Sequence, residues 1–90
     1  MGRAILKLKL MLESPHTDVE VIKKEIEKKI SELDISIHRS SIEEVAFGLK
    51  AIILTLVWPE DKSQAEIESK LGQVNGVRSV EVIDFRRAIG

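Results

Sequence analysis

From Arg3 to Leu12, apolar and polar positions alternate. Ala4, Leu6, Leu8, Leu10 and Leu12 fall on one side, and Ile5, Lys7, Lys9 and Met11 on the other. A period of two sustained over this length predicts a strand with one buried face and one largely wet face. Leu and Lys are not strong strand formers, so the alternation makes the assignment rather than propensity. Pro15 punctuates the connection Glu13 to His16. Thr17 and Glu20 then have capping-box spacing, which predicts a helix opening at Thr17 with a cap contributing about 1 kcal/mol. Val19, Ile22, Ile26, Ile30 and Leu33 recur at spacings of three and four, a single apolar stripe with Lys23, Lys24, Glu27 and Lys28 mostly off it.

The second half repeats the theme. Asp34 to Arg39 reads as a short strand with Ile35 and Ile37 on one face and His38 on the other. Ser40 to Glu44 is polar, with Ile42 placed to continue an irregular strand. Val45-Ala46-Phe47-Gly48 precedes the most apolar segment, Leu49 to Trp58, whose near-continuous run predicts a central strand ended by Pro59. Ser63 and Glu66 form a second capping box, and Ala65, Ile67, Leu71 and Val74 give a shorter stripe. Gly72 or the Asn75-Gly76 pair can end this helix. A last strand is expected from Val77 to about Phe85. Val80 and Val82 share one face there, but Arg78 and Asp84 have the same parity, so a short buried segment is expected. Arg86 to Gly90 then forms a tail. The order strand, helix, strand, strand, helix, strand predicts an α+β, ferredoxin-like βαββαβ sandwich. Its four-stranded antiparallel sheet carries two helices on one face, with the first and third strands central. Residues 1–90 are expected to form a single domain.

Composition narrows the picture. A chain of 90 residues buries a thin core, and with no cysteine it has no disulfide or thiolate metal site to support it. Hydrophobic residues make up 43%, nearly all aliphatic, Phe47, Trp58 and Phe85 being the aromatics. The Lys- and Glu-rich charged fraction is of the kind found in heat-adapted proteins. A formal net charge of −1 argues against non-specific nucleic-acid binding, which needs a strong positive excess. No apolar run is long enough to span a bilayer, and the first residues lack the apolar region of a signal peptide, so a soluble cytoplasmic protein with no membrane association is expected.

Catalytic chemistry is hard to place. His16 and His38 have no ligand spacing for a metal, the glycines are isolated, and Glu43-Glu44 and Glu60-Asp61 read as solvated loop charge. No cofactor and no metal are expected. An RNA-recognition domain shares this topology but needs aromatics on the central strands, where the first strand offers Lys7 and Lys9. An acylphosphatase-like enzyme would want an arginine-bearing anion loop, which Glu13 to His16 does not supply. A small-ligand regulatory or interaction module of the ferredoxin-like class is compatible with topology alone. Two features point to a protein partner. Phe47, beside Gly48, is either a core aromatic tucked under the sheet or an exposed apolar anchor. Arg86-Arg87 is either solvated tail charge or a mobile cationic finger entering a partner's acidic or phosphate-binding site.

The run Ala46-Phe47-Gly48-Leu49-Lys50-Ala51 with its aliphatic strand resembles the corresponding turn and strand of the translation elongation factor 1-beta family. So does the ending Val77-Arg78-Ser79-Val80-Glu81-Val82-Ile83-Asp84-Phe85-Arg86-Arg87, in the form of the archaeal members. Met1-Gly2 before a strand, and Glu13-Ser14-Pro15 leading to a helix from Asp18, fit as well. The resemblance covers essentially the whole chain. It implies a ferredoxin-like guanine-nucleotide exchange domain, not an enzyme, whose partner is the tRNA-delivering GTPase elongation factor 1-alpha, with no direct nucleic-acid contact. In the family, the phenylalanine of the matching turn contacts the GTPase and a near-terminal lysine enters its magnesium and phosphate region. The matching residues are Phe47, with Gly48 in the same turn, and Arg87, with Arg86 adjacent.

Overall fold

The computed structural model of the chain describes residues 3–59 and 63–88. Met1-Gly2, the Glu60-Asp61 pair and Ile89-Gly90 lie outside the described residues. The alternating N-terminal segment is β1 (Arg3–Leu12), and its five inward residues, Ala4 to Leu12, are fully buried. It is followed by α1 (Val19–Glu32), β2 (Ser36–Glu44), β3 (Lys50–Pro59), α2 (Gln64–Gly72) and β4 (Val77–Ala88). The strand order is β2-β3-β1-β4, and each neighbouring pair is antiparallel. This is the α+β, ferredoxin-like arrangement that the element order predicts, with β1 and β3 central. Ile22, Ile26 and Ile30 of α1 and Ile67 and Leu71 of α2 pack with Leu6, Leu8 and Leu10 of β1 and Ile52, Leu54 and Leu56 of β3. Burial of each such aliphatic side chain contributes about 1.5–3 kcal/mol, and this layer holds both helices to one face of the sheet.

Helix starts differ from the capping-box reading. The N-cap of α1 is Asp18, whose Oδ1 accepts from the N–H groups of Glu20 at 3.1 Å and Val21 at 3.4 Å. A carboxylate at that position also meets the positive end of the helix, which Thr17 one residue earlier does not reach. Ser63 is the N-cap of α2, but its side chain makes no capping bond. Ala65 is exposed, so the inward stripe of that helix is Ile67, Leu71 and Val74.

Three irregularities reset the parity of the edge strands. In β4, Leu12 pairs with Val77 and Met11 with Ser79, leaving Arg78 as an extra residue; Leu8 pairs with Val82 and Lys7 with Asp84, leaving Ile83 as another. Each bulge inverts the alternation beyond it. Val77, Val80, Val82 and Phe85 therefore all face the helix side, opposite Leu12, Leu10, Leu8 and Leu6, while Asp84 turns outward. The buried part of β4 is longer than strict alternation predicts. The strand also runs past Phe85 to Ala88, pairing Arg86 with Ile5 and Arg87 with Ala4. In β2, Ile37 pairs with Leu56 and Arg39 with Thr55, so His38 is extra and Ile42 rejoins the helix side opposite Ile52.

Candidate partner-binding site

The β2–β3 connection is a single tight turn, Ala46–Gly48. The Val45 N–H donates to the Leu49 carbonyl at 2.8 Å, and the Leu49 N–H donates to the Ala46 carbonyl at 3.3 Å. Closing the chain this sharply puts two successive residues in the left-handed region: Phe47 at φ 63° and Gly48 at φ 74°. Glycine adopts that conformation freely, whereas for a bulky side chain it costs about 1–2 kcal/mol. Phe47 is nonetheless 94% exposed. Of the two readings open from sequence, the buried core aromatic is therefore excluded. The turn lies beside the β1–α1 connection: a Cβ placed on Gly48 would lie 3.7 Å from the Cβ of Pro15. That connection is itself tied to the α2–β4 loop, the Glu13 N–H donating to the Gly76 carbonyl at 2.8 Å.

Arg86 and Arg87 lie within β4, not in a tail beyond it. As consecutive strand residues they emerge on opposite faces. Arg86 is on the open face, and its Nε lies 3.1 Å from Oδ2 of Asp84 on the same face. Arg87 is on the helix side, opposite Ala4. Both are exposed. Strict alternation from Val82 places Asp84 inward; the bulge at Ile83 turns Asp84, and Arg86 two residues on, to the open face.

These four residues do not form one cluster. Phe47 and Gly48 sit at the Lys50 end of β3, and Arg86 and Arg87 at the Val57 end, where β1 carries Ile5 and Ala4. Seven strand residues at about 3.3 Å each span about 23 Å, and the turn beyond Lys50 brings the separation of the two groups to about 25 Å. Among the described residues no group of three His, Cys, Asp or Glu side chains is placed to hold a metal, and no helix is long and apolar enough to cross a membrane.

Residues 5–88 match the EF-1 guanine nucleotide exchange domain. The chain belongs to this family. It is 36% identical over 88 residues to elongation factor 1-beta of Methanothermobacter thermautotrophicus, covering 97% of this chain and 98% of the relative. To the Archaeoglobus fulgidus elongation factor 1-beta it is 36% identical over 90 residues, covering 94% and 97%. Solved structures of similar shape include the C-terminal domain of MgtC from Mycobacterium tuberculosis, with TM-score 0.70, 12% identity and coverage of 97% of this chain and 89% of that one. The ACT domain of GTP pyrophosphokinase from Chlorobium tepidum matches with TM-score 0.65 and 19% identity, covering 88% and 96%. At those identities the likeness shows the fold alone. In this member of the exchange-domain family Phe47 projects from the β2–β3 turn, and Arg86 and Arg87 lie near the end of β4.

Proposed function

We propose that this chain promotes exchange of GDP for GTP on elongation factor 1-alpha in the cytoplasm during polypeptide elongation. The observation that carries the reading is the match to the exchange-domain family over residues 5–88, nearly the whole chain. Residues 1–90 act in this reading as one exchange domain, and Phe47, Gly48, Arg86 and Arg87 form its contacts with the GTPase.

Exchange needs no bond-making chemistry from this chain, so it is not an enzyme in that sense. It requires that the nucleotide-free GTPase bind the factor more tightly than the GDP-bound form does. Linkage makes the effect reciprocal, so nucleotide expels the factor in turn. A thousandfold faster GDP release corresponds to about 4 kcal/mol of differential stabilisation. Phe47 supplies an anchor whose apolar surface is almost wholly available to a partner, and anchors seated in desolvated pockets carry most of an interface's binding energy. The arginines at the other end supply a permanent positive charge that competes with a magnesium ion for phosphate oxygens. Gripping the GTPase at two separated points lets the energy of one contact drive distortion at the other. Release of fluorescently labelled GDP from the cognate GTPase tests the proposal.

A further inference from the structure

The face of the sheet away from the helices carries a row that strand register assembles from four separate segments. Asp84, Lys7, Thr55 and Arg39 stand side by side across β4, β1, β3 and β2. Neighbouring strands are about 4.8 Å apart, so the Lys7 and Arg39 backbones are about 10 Å apart with the Thr55 hydroxyl between them. Side chains of that length reach over Thr55 from both sides. All four residues line one open groove of about 660 Å³, together with Ile53 and Arg86.

The charge in this groove is unbalanced. Asp84, the carboxylate of the row, is engaged by Arg86 at 3.1 Å, and neither Lys7 nor Arg39 has an ion-pair partner among the described residues. Glu43, the other acid of the groove, pairs with Ala51, four residues further along β2 and therefore about 13 Å from Arg39. Three cations against two carboxylates leave the groove positive on a chain whose formal charge is −1. An apolar floor under a concave positive surface focuses the field.

We infer that the Lys7–Thr55–Arg39 row is an anion site for the phosphoryl groups of a compact small molecule. The guanidinium of Arg39 offers paired N–H donors, Lys7 a point charge and Thr55 a hydroxyl donor. An extended nucleic-acid strand fits poorly. Its phosphates would meet Glu81, which stands opposite Lys9 on the same face, and with Trp58 buried and Phe85 on the helix side the His38 imidazole is the one ring lining the groove, short of the two or three aromatics on which successive bases stack.

The test is titration of the isotope-labelled chain with sodium pyrophosphate at fixed ionic strength, followed by amide shifts. Saturable shifts centred on Lys7, Thr55 and Arg39 are expected. Arg39→Gln and Lys7→Gln, both at exposed positions, should each weaken binding by about tenfold, as loss of a charge-assisted contact does. Lys28→Gln on α1 should leave it unchanged. Non-saturating shifts, or equal weakening by Lys28→Gln, would overturn the site. A short oligouridylate binding more tightly than pyrophosphate through the same amides would overturn the assignment to a compact ligand.

Discussion

Phe47 and Arg86 stand at opposite ends of one sheet, on the β2–β3 turn and near the end of β4, about 25 Å apart along a molecule whose longest extent is 42 Å. A partner that touches both lies along the long axis of the domain. The two contacts are then physically independent, and their contributions to affinity and to exchange rate can be separated by substitution.

Phe47→Ala should leave stability within about 0.5 kcal/mol, because a fully projected side chain gives up no burial. Affinity for the nucleotide-free GTPase should fall by about 2 kcal/mol, roughly thirtyfold, the loss typical of an aromatic hot spot. Calorimetric titration beside thermal unfolding checks both halves. Unchanged affinity would remove Phe47 from the interface.

Arg86→Ala and Arg87→Ala should both fold normally. The ion pair that the first removes is exposed, with Arg86 79% accessible, and such pairs contribute about 0–1 kcal/mol. Because the two side chains leave β4 on opposite faces, one partner surface meets them unequally. One substitution should slow GDP release at saturating factor far more than the other, with little loss of affinity from either. Equal effects would contradict the face assignment. Deleting residues 86–90 is a poorer probe, since it also removes the pairing with Ile5, Ala4 and Arg3.

Asp18→Ala should cost about 1 kcal/mol of unfolding free energy, the usual value of an N-cap, and Thr17→Ala clearly less. Denaturant unfolding of the two variants decides between the two cap positions. A larger loss from Thr17→Ala would restore the capping-box reading.

Leu8→Ala should cost about 3 kcal/mol or more, because Leu8 is fully buried between Leu54 and Val82 on the neighbouring strands. Against a total of about 5–15 kcal/mol for a domain, that is a severe loss. Urea unfolding checks it, and a loss below about 1 kcal/mol would show the core to be loosely packed there.

Periodicity carried most of the fold because β1 and β3 keep strict registers that polar residues do not interrupt. The Leu6-Leu8-Leu10 face and the Ile22-Ile26-Ile30 stripe were legible for that reason. What escaped were insertions: a bulge adds one residue without a composition signal, so His38, Arg78 and Ile83 looked like ordinary alternating positions. The polar residues Arg78 and Asp84, which share the parity of the apolar Val80 and Val82, were the visible trace of two of them. The Thr17 cap failed because Asp18, one residue later, also has a capping side chain and bears a charge. The state of Phe47 was undecidable from sequence, since a phenylalanine beside a turn glycine suits either a core or a surface, and only the backbone closing from Val45 to Leu49 turns it outward.

The most direct test of the whole account is the rate at which fluorescent GDP leaves archaeal elongation factor 1-alpha in excess unlabelled nucleotide, with and without this chain. A saturable acceleration of about a thousandfold is expected, corresponding to about 4 kcal/mol of differential binding. A release rate unchanged at saturating chain would contradict it.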